Sequence, residues 1–226
     1  MKRVLRKIVN KLRKWRGVNH QQVFSEIYSG SIWGKDSKSE FYSGTGSDEP
    51  YARPYTDVIT KFIKENKVSS IVDLGCGDFR IGSKITEENP VKYTGVDVVS
   101  GLIKYNNSHF ASERISFRQV NIVKEKLPVG QMCLIRQVLQ HLSNSDIQRI
   151  LQKCKQYEYV IITEHHPLGD NIQPNVDKAP DGGIRLEWNS GVFLDHPPFN
   201  KGVEELLTVY PEVENNSKIV TFRVFI

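Results

Sequence analysis

Ile71-Val72-Asp73-Leu74-Gly75-Cys76-Gly77-Asp78 decides the fold. An apolar run that carries an acid and then enters a Gly-x-Gly turn describes a strand opening onto a nucleotide-sized ligand. Glycine adopts positive φ in such a turn and lets the backbone approach the ligand closely. Two phosphate loops compete for the stretch, and both fit poorly. A dinucleotide fingerprint needs its third glycine where Arg80 stands, and a P-loop needs Gly-Lys-Ser/Thr where the chain reads Gly82-Ser83-Lys84. What remains is Asp-x-Gly-x-Gly after a strand, followed by Tyr93-Thr94-Gly95-Val96-Asp97, a second strand that ends in an acid 24 residues after Asp73.

Outward from these two strands the chain alternates apolar runs with helix-length segments. Strands are expected at Ser69–Leu74, Val91–Val96, Ile115–Val120, Met132–Ile135 and Tyr157–Thr163, with a last one at Lys218–Ile226. Helices are expected at Tyr55–Asn66, Ile81–Asn89, Leu102–Phe110, Ser143–Cys154 and Val203–Thr208. Ser143-x-x-Asp146 is close to a capping box. Strands separated by helices imply parallel pairing with right-handed crossovers, so the ligand crevice lies at the carboxyl ends of the strands. Asp73, Asp97, Asn121, Gln137 and Glu164 all fall there.

Asp73 with its glycine turn, and Asp97 closing the next strand, resemble the class I S-adenosylmethionine-dependent methyltransferases over roughly Ser69 to Glu164. The resemblance implies an α/β, Rossmann-like, doubly wound and mostly parallel seven-stranded sheet with helices on both faces. It also implies S-adenosyl-L-methionine as cofactor. Asp73, Gly75, Cys76 and Gly77 would hold its methionine end, and Asp97 with Val98 its ribose. Asn121 and Ile122 would meet the adenine, with Arg136 and Gln137 following the fourth strand. A carboxylate suits a ribose diol because it accepts two charge-assisted hydrogen bonds at once. Asn121 stands where the family commonly has an aspartate; its amide oxygen can accept the same bond, and Asn also suits an ordinary turn. Cys76 reads as a small filler within the turn.

Methyl transfer from a sulfonium is an in-line displacement, so near-attack geometry supplies most of the acceleration. A hydroxyl acceptor additionally loses a proton, and histidine is the usual agent. The candidates are His141, in Gln137-Val138-Leu139-Gln140-His141-Leu142, and Glu164-His165 after the fifth strand. His141 resembles a histidine that many class I enzymes place there, in several of them only as a structural or cofactor-shell residue. His165, His166, Asp170, Asp195 and His196 match no standard metal signature, and no metal is expected.

The 226 residues, 38% of them hydrophobic, suffice for one full core. Cys76, Cys133 and Cys154 form no spaced pair, which argues against a disulfide framework or zinc site and fits a reducing compartment. No apolar run reaches membrane-spanning length, and there are no repeats. The charge is uneven. Residues 1–16 hold eight cations and no acid, leaving 23 of the 31 Lys and Arg against 26 acids elsewhere. Leu5, Ile8, Val9, Leu12 and Trp15 recur at helical spacing there, so residues 1–18 read as a basic amphipathic helix. Three readings fit this tail: a helix on an anionic membrane surface, an RNA-contacting arm, or a docking helix for a partner or for the protein's own body. The continuous apolar stripe favours a membrane over RNA.

Residues 19–54 are rich in Ser, Gly and aromatics, too aromatic for a plain spacer, and read as a lid before the 55–226 domain. Residues 165–200 hold five of the ten prolines and read as a substrate-side loop. Its Arg185, Trp188 and Phe199, with Tyr42 from the lid, offer the mixture of hydrogen bonds and flat apolar faces that a polyhydroxylated acceptor needs. The basic start, Ser43-Gly44-Thr45-Gly46-Ser47 and the Arg185 to Phe199 loop are similar to small methyltransferases of bacterial polysaccharide gene clusters. That resemblance implies a cytoplasmic O-methyltransferase, attached peripherally to the inner membrane face through its tail, acting on a sugar hydroxyl of a glycan or lipid-linked precursor. An RNA methyltransferase would carry a basic cleft, whereas here the positive charge sits in the tail, so nucleic acid is not the expected partner. A small-molecule or protein methyltransferase and a cofactor-binding scaffold without turnover are further readings. Nothing in the sequence sets the oligomeric state.

Overall fold

The computed structural model describes residues 17–37, 39–211 and 216–226. The amphipathic segment at residues 1–16 lies outside the described residues. Seven strands form one sheet: β1 (Ser70–Leu74), β2 (Lys92–Asp97), β3 (Ile115–Gln119), β4 (Met132–Arg136), β5 (Tyr159–Pro167), β6 (Gly202–Val209) and β7 (Ser217–Phe225). Their order is β3-β2-β1-β4-β5-β7-β6. The first five pair in parallel, while β7 runs antiparallel to both β5 and β6. Strand order reverses between β1 and β4, which places a ligand crevice at their carboxyl ends.

Alternation along the strands decides which helix lies on which face. Val72, Leu74, Cys133, Ile135, Val160 and Ile162 point into a core shared with α5 (Asn144–Cys154) through Ile147, Ile150 and Leu151. Their neighbours Ile71, Met132, Leu134 and Ile161 point the other way, against α2 (Ala52–Glu65) and α3 (Arg80–Glu88). Strands apolar on both faces need cover on both, and the crossovers supply it. Helix α4 (Ser100–Phe110) lies against β2 and β3. All three cysteines are buried and unpaired.

The structure corrects two expectations. Val203–Thr208 is strand β6, not a helix. A register shift between Glu205 and Leu207 inserts one residue, so Val203, Leu206 and Leu207 acquire a spacing that imitates helical periodicity. The fifth strand also runs past Thr163, because β7 pairs with it through His165, His166 and Pro167. Glu164 and His165 therefore sit within a strand and not beyond its end. An unexpected helix, α1 (His20–Ser29), opens the lid segment; the Asn19 side chain caps it by accepting the Gln22 N–H.

α5 begins as Ser143-x-x-Asp146 predicts. Fully buried Ser143 accepts the Asp146 N–H through Oγ at 3.2 Å and donates to Asp146 Oδ2 at 2.8 Å. The same Oδ2 accepts His20 Nε2 at 3.2 Å, which ties α1 to α5. Ser143→Ala should cost about 1–2 kcal/mol of stability in urea unfolding. An unchanged midpoint would mean that the cap contributes nothing.

Candidate active site

Gly75 and Gly77 turn the chain away from β1 with φ of 80° and 55°. A Cβ on Gly75 would lie 2.5 Å from Val138 Cγ2, and one on Gly77 would collide with Ser43 Oγ. Both positions are closed to a side chain by shape as well as by φ. The turn is anchored by Gly75 and Cys76 N–H donating to Val96 O, and by buried Asn106 donating to Gly77 O at 2.8 Å.

Asp97 borders this turn. Its Oδ1 accepts Val99 N–H at 3.0 Å and its Oδ2 accepts Gly77 N–H at 3.4 Å, which leaves lone pairs for a diol. Burial pushes its carboxyl up to about 6, against those backbone bonds. Asp73 is likewise raised to about 6 by burial, although it accepts Tyr93 OH at 2.6 Å and lies near Arg136. Nearby, Asp78 Oδ2 and Arg136 Nε are buried with no hydrogen-bond partner.

Three cavities meet at Gln137. One cleft gathers Gly75, Asp97, Val98, Asn121 and Ile122. A second gathers Asp73, Cys76, Gly77, Asp78 and Arg136. The third, a chamber of about 640 Å³, is lined by His141 and His165 with Trp33, Ser43, Gln140 and Tyr51. Gln137 reaches all three and holds a left-handed φ of 54°, strain of the kind that functional positions store. Tyr28, 3.0 Å from Ser43 Oγ, stands between the two clefts, each of only about 80 Å³. A ligand spanning them has to move that ring or the lid carrying it.

His141 sits in the turn after β4. Its Nδ1 lies 3.1 Å from Gly183 O; since a carbonyl only accepts, Nδ1 carries the proton and Nε2 is left as an acceptor. Gln140 Nε2 donates to that unprotonated nitrogen at 3.4 Å, and Gln140 Oε1 is buried without a partner. Burial, then the charge of Lys178, pushes the imidazole down to about 4, so it is neutral at pH 7.

Other expected site residues are engaged elsewhere. Glu164 borders none of the three cavities: its two carboxylate oxygens accept Leu139 and Gln140 N–H at 2.9 and 3.0 Å, and burial pushes its carboxyl up to about 8. His165 lines the chamber with Nε2 2.9 Å from Ser217 Oγ. Arg185, expected to meet substrate, is 1% exposed and donates to Val176, Leu139, Gln140 and Leu142 carbonyls and to Asn144 Oδ1. Phe199 is core. Tyr42 donates to Asp48 and lies under Arg80, while half-exposed Trp188 borders none of the three cavities. Asn121 Oδ1 accepts Val123 and Lys124 N–H and so makes the turn, while lining the Asp97 cleft. Missed by sequence reasoning were Tyr28, Gln140 and His20; the crowding of aromatics was a signal for the first, and nothing local marked the other two. Among the described residues no group of three or more His, Cys, Asp or Glu could hold a metal ion, and no helix is long and apolar enough to cross a membrane.

Residues 71–157 match the family described as methyltransferase domain. No curated protein matches the chain by sequence. Among solved structures, the N-methyltransferase NodS from Bradyrhizobium japonicum WM9, in complex with S-adenosyl-L-homocysteine, superposes with a TM-score of 0.57 at 13% identity, covering 79% of this chain and 90% of that one. The methyltransferase domain of bacterial CtHen1-CN gives 0.52 at 16% identity over 76% and 98%. An O-methyltransferase family protein from Burkholderia thailandensis gives 0.52 at 12% over 76% and 55%, so this chain spans about half of its length. The sheet has the fold of these methyltransferases, and residues 71–157 match a methyltransferase domain, a class whose cofactor is S-adenosylmethionine.

The residues fit such a cofactor: Asp97 has acceptor capacity for a diol, and the unpartnered Arg136 Nε beside Asp73 suits an amino-acid end. Above pH 6 Asp97 is ionised and accepts; below it the added proton removes that capacity. Affinity for S-adenosylhomocysteine should therefore fall as pH drops through about 6. Asp97→Asn should bind at least about tenfold more weakly at pH 8, since charge-assisted bonds are lost. Calorimetry showing wild-type affinity in that variant would reject the assignment.

Proposed function

Taking the chain as an S-adenosylmethionine-dependent methyltransferase, we propose that it methylates a hydroxyl of a neutral, polyhydroxylated acceptor, a sugar of a glycan or of its lipid-linked precursor. The chamber beside His141 carries the reading. Its lining offers Ser43, Thr45, Gln137 and Gln140 as hydrogen-bonding groups and Trp33 and Ile184 as apolar faces. Sugars present hydroxyl edges and C–H faces together, so both kinds of wall are used. Among the described residues that line it, the lysine, arginine, aspartate or glutamate side chains are Asp48 and Glu49 alone, both acidic. A phosphate backbone would meet no cation there, which speaks against RNA.

The cofactor supplies an electrophilic methyl group. His141 Nε2 accepts the proton of the acceptor hydroxyl when the hydroxyl displaces the Gln140 amide that donates to it at 3.4 Å, because Nδ1 is committed to Gly183 O. Gln140 Oε1, buried and unpartnered, is available to a second hydroxyl. Trp33, its ring centroid 5.0 Å from that of His141 and its Nε1 donating to Gly182 O, walls the reacting region from solvent. Glu164 and Arg185 act at one remove, by holding the turn that carries His141.

His141→Ala should lower turnover about a hundredfold or more while cofactor affinity stays nearly intact. The test is labelled-methyl transfer to neutral oligosaccharides, with RNA as competitor. Because burial holds His141 near 4, its acid limb in kcat should fall near pH 4 rather than 6.5. Full activity in His141→Ala, or transfer to RNA in preference to sugars, would sink the reading.

We further propose that residues 1–16 bring the enzyme to an anionic membrane, where a lipid-linked acceptor would reside. Each cation contributes about 1 kcal/mol near such a surface, and the apolar stripe adds a term that salt does not screen. The full chain should co-sediment with anionic vesicles and a chain lacking residues 1–16 should not; both staying in the supernatant at low salt would reject the tether.

A further inference from the structure

Lys178 is a buried cation that the chemistry above leaves unused. It is 3% exposed, and burying an ammonium is costly unless it is fully partnered. Its Nζ donates to Asp181 and, at 2.7 Å, to Gly183 O. The pairing with Asp181 does not require that burial, since the Asp181 side chain is 54% exposed and could hold a lysine at the surface. The second contact is the distinctive one. Gly183 O is also the acceptor for His141 Nδ1–H at 3.1 Å, so its two lone pairs serve Lys178 and His141. The same segment returns to the catalytic turn through Asp181 N–H donating to His141 O at 3.2 Å, and Asp181 Oδ1 accepts Gly183 N–H at 2.8 Å.

We propose that Lys178 is a positioning residue for His141: it holds Gly183 O in place, which keeps the proton on Nδ1 and leaves Nε2 unprotonated as an acceptor, met by the Gln140 amide. The proposal rests on His141 as the proton acceptor. Charge acts in the same direction as geometry. The groups facing the imidazole are Lys178, Asp181 and Arg185 from the 176–188 segment, Gln140 on its own turn, and the Trp33 and Phe24 rings from the lid. Two of the three charges are positive, and burial adds to them, so the imidazolium is disfavoured and the neutral tautomer persists.

The test is nitrogen-15 NMR of the full chain labelled at histidine, with His141 assigned by its loss in His141→Gln. Wild type should show the Nδ1–H tautomer and titrate near pH 4. Lys178→Met should mix the two tautomers and raise the titration midpoint by about one unit or more, because a nearby positive charge is gone. Lys178→Arg should restore the wild-type signature. A folded Lys178→Met protein with unchanged tautomer and midpoint would overturn the proposal. Should Lys178→Met not fold, Lys178→Gln decides: it keeps an N–H for Gly183 O without charge, so the tautomer should hold while the midpoint rises, and an unmoved midpoint overturns the proposal. If the NMR result is as expected but His141→Ala retains turnover, the positioning stands and the reading of His141 as base falls.

Discussion

Two buried side chains, the Glu164 carboxyl and the Arg185 guanidinium, grip the turn after β4 from either side, and the site depends on that grip. The Glu164 carboxylate accepts the Leu139 and Gln140 N–H groups, while the Arg185 guanidinium donates to the Leu139, Gln140 and Leu142 carbonyls. Both side chains are 1% exposed. A buried turn with unpaired backbone groups would be costly, and water cannot serve it here. The buried guanidinium is satisfied by the carbonyls it donates to, and the Glu164 carboxyl, which burial pushes up to about 8, by the N–H groups it accepts, so each side chain needs the turn as much as the turn needs it. This explains why Glu164 lies inside β5: the strand fixes its carboxylate under residues 139 and 140 more rigidly than a loop could.

The lid is fastened to the glycine turn by equally specific contacts. Ser43 Oγ accepts Asp78 N–H at 2.9 Å and meets Tyr28 OH. Arg80 bridges Asp36 and Asp48 at 2.5 Å each and lies 3.4 Å from Asp78, so one guanidinium joins two points of the lid to the loop after β1. Gly46 passes over β4, taking Arg136 Nη2 on its carbonyl at 2.5 Å, and its lack of a side chain makes room for Gln137. Cofactor clefts and acceptor chamber share this wall. Any movement of the lid that widens the clefts also reshapes the chamber.

The parts legible in the sequence are those whose cause is local. Asp73, the glycine turn and Asp97 announce themselves because strand, turn and acid lie within a few residues of one another, and Ser143 with Asp146 reads as a cap for the same reason. β6 was misread because one bulge converts a two-residue period into a helical one, and only pairing with β7 resolves it. Arg185 was expected at the substrate because four of its five partners lie 41 to 46 residues earlier, and an arginine already held by such groups looks identical in sequence to one awaiting a substrate. The lid's aromatics were visible as an excess, but not that Trp33 would lie against His141 or Tyr28 between the clefts.

Burial also inverts the usual order of acid and base. In water a carboxyl titrates well below an imidazole. Here Asp97 rises to about 6 and His141 falls to about 4, each because its charged form is desolvated. Between these values neither group carries charge, and on the alkaline side Asp97 alone does. A fall in pH therefore removes the diol acceptor before it removes the proton acceptor. For the proposed reaction the acid limit is then set by cofactor affinity, and saturating cofactor should extend turnover toward the lower value. With a histidine titrating in its ordinary range, both functions would fail together, and added cofactor would restore binding but not proton removal.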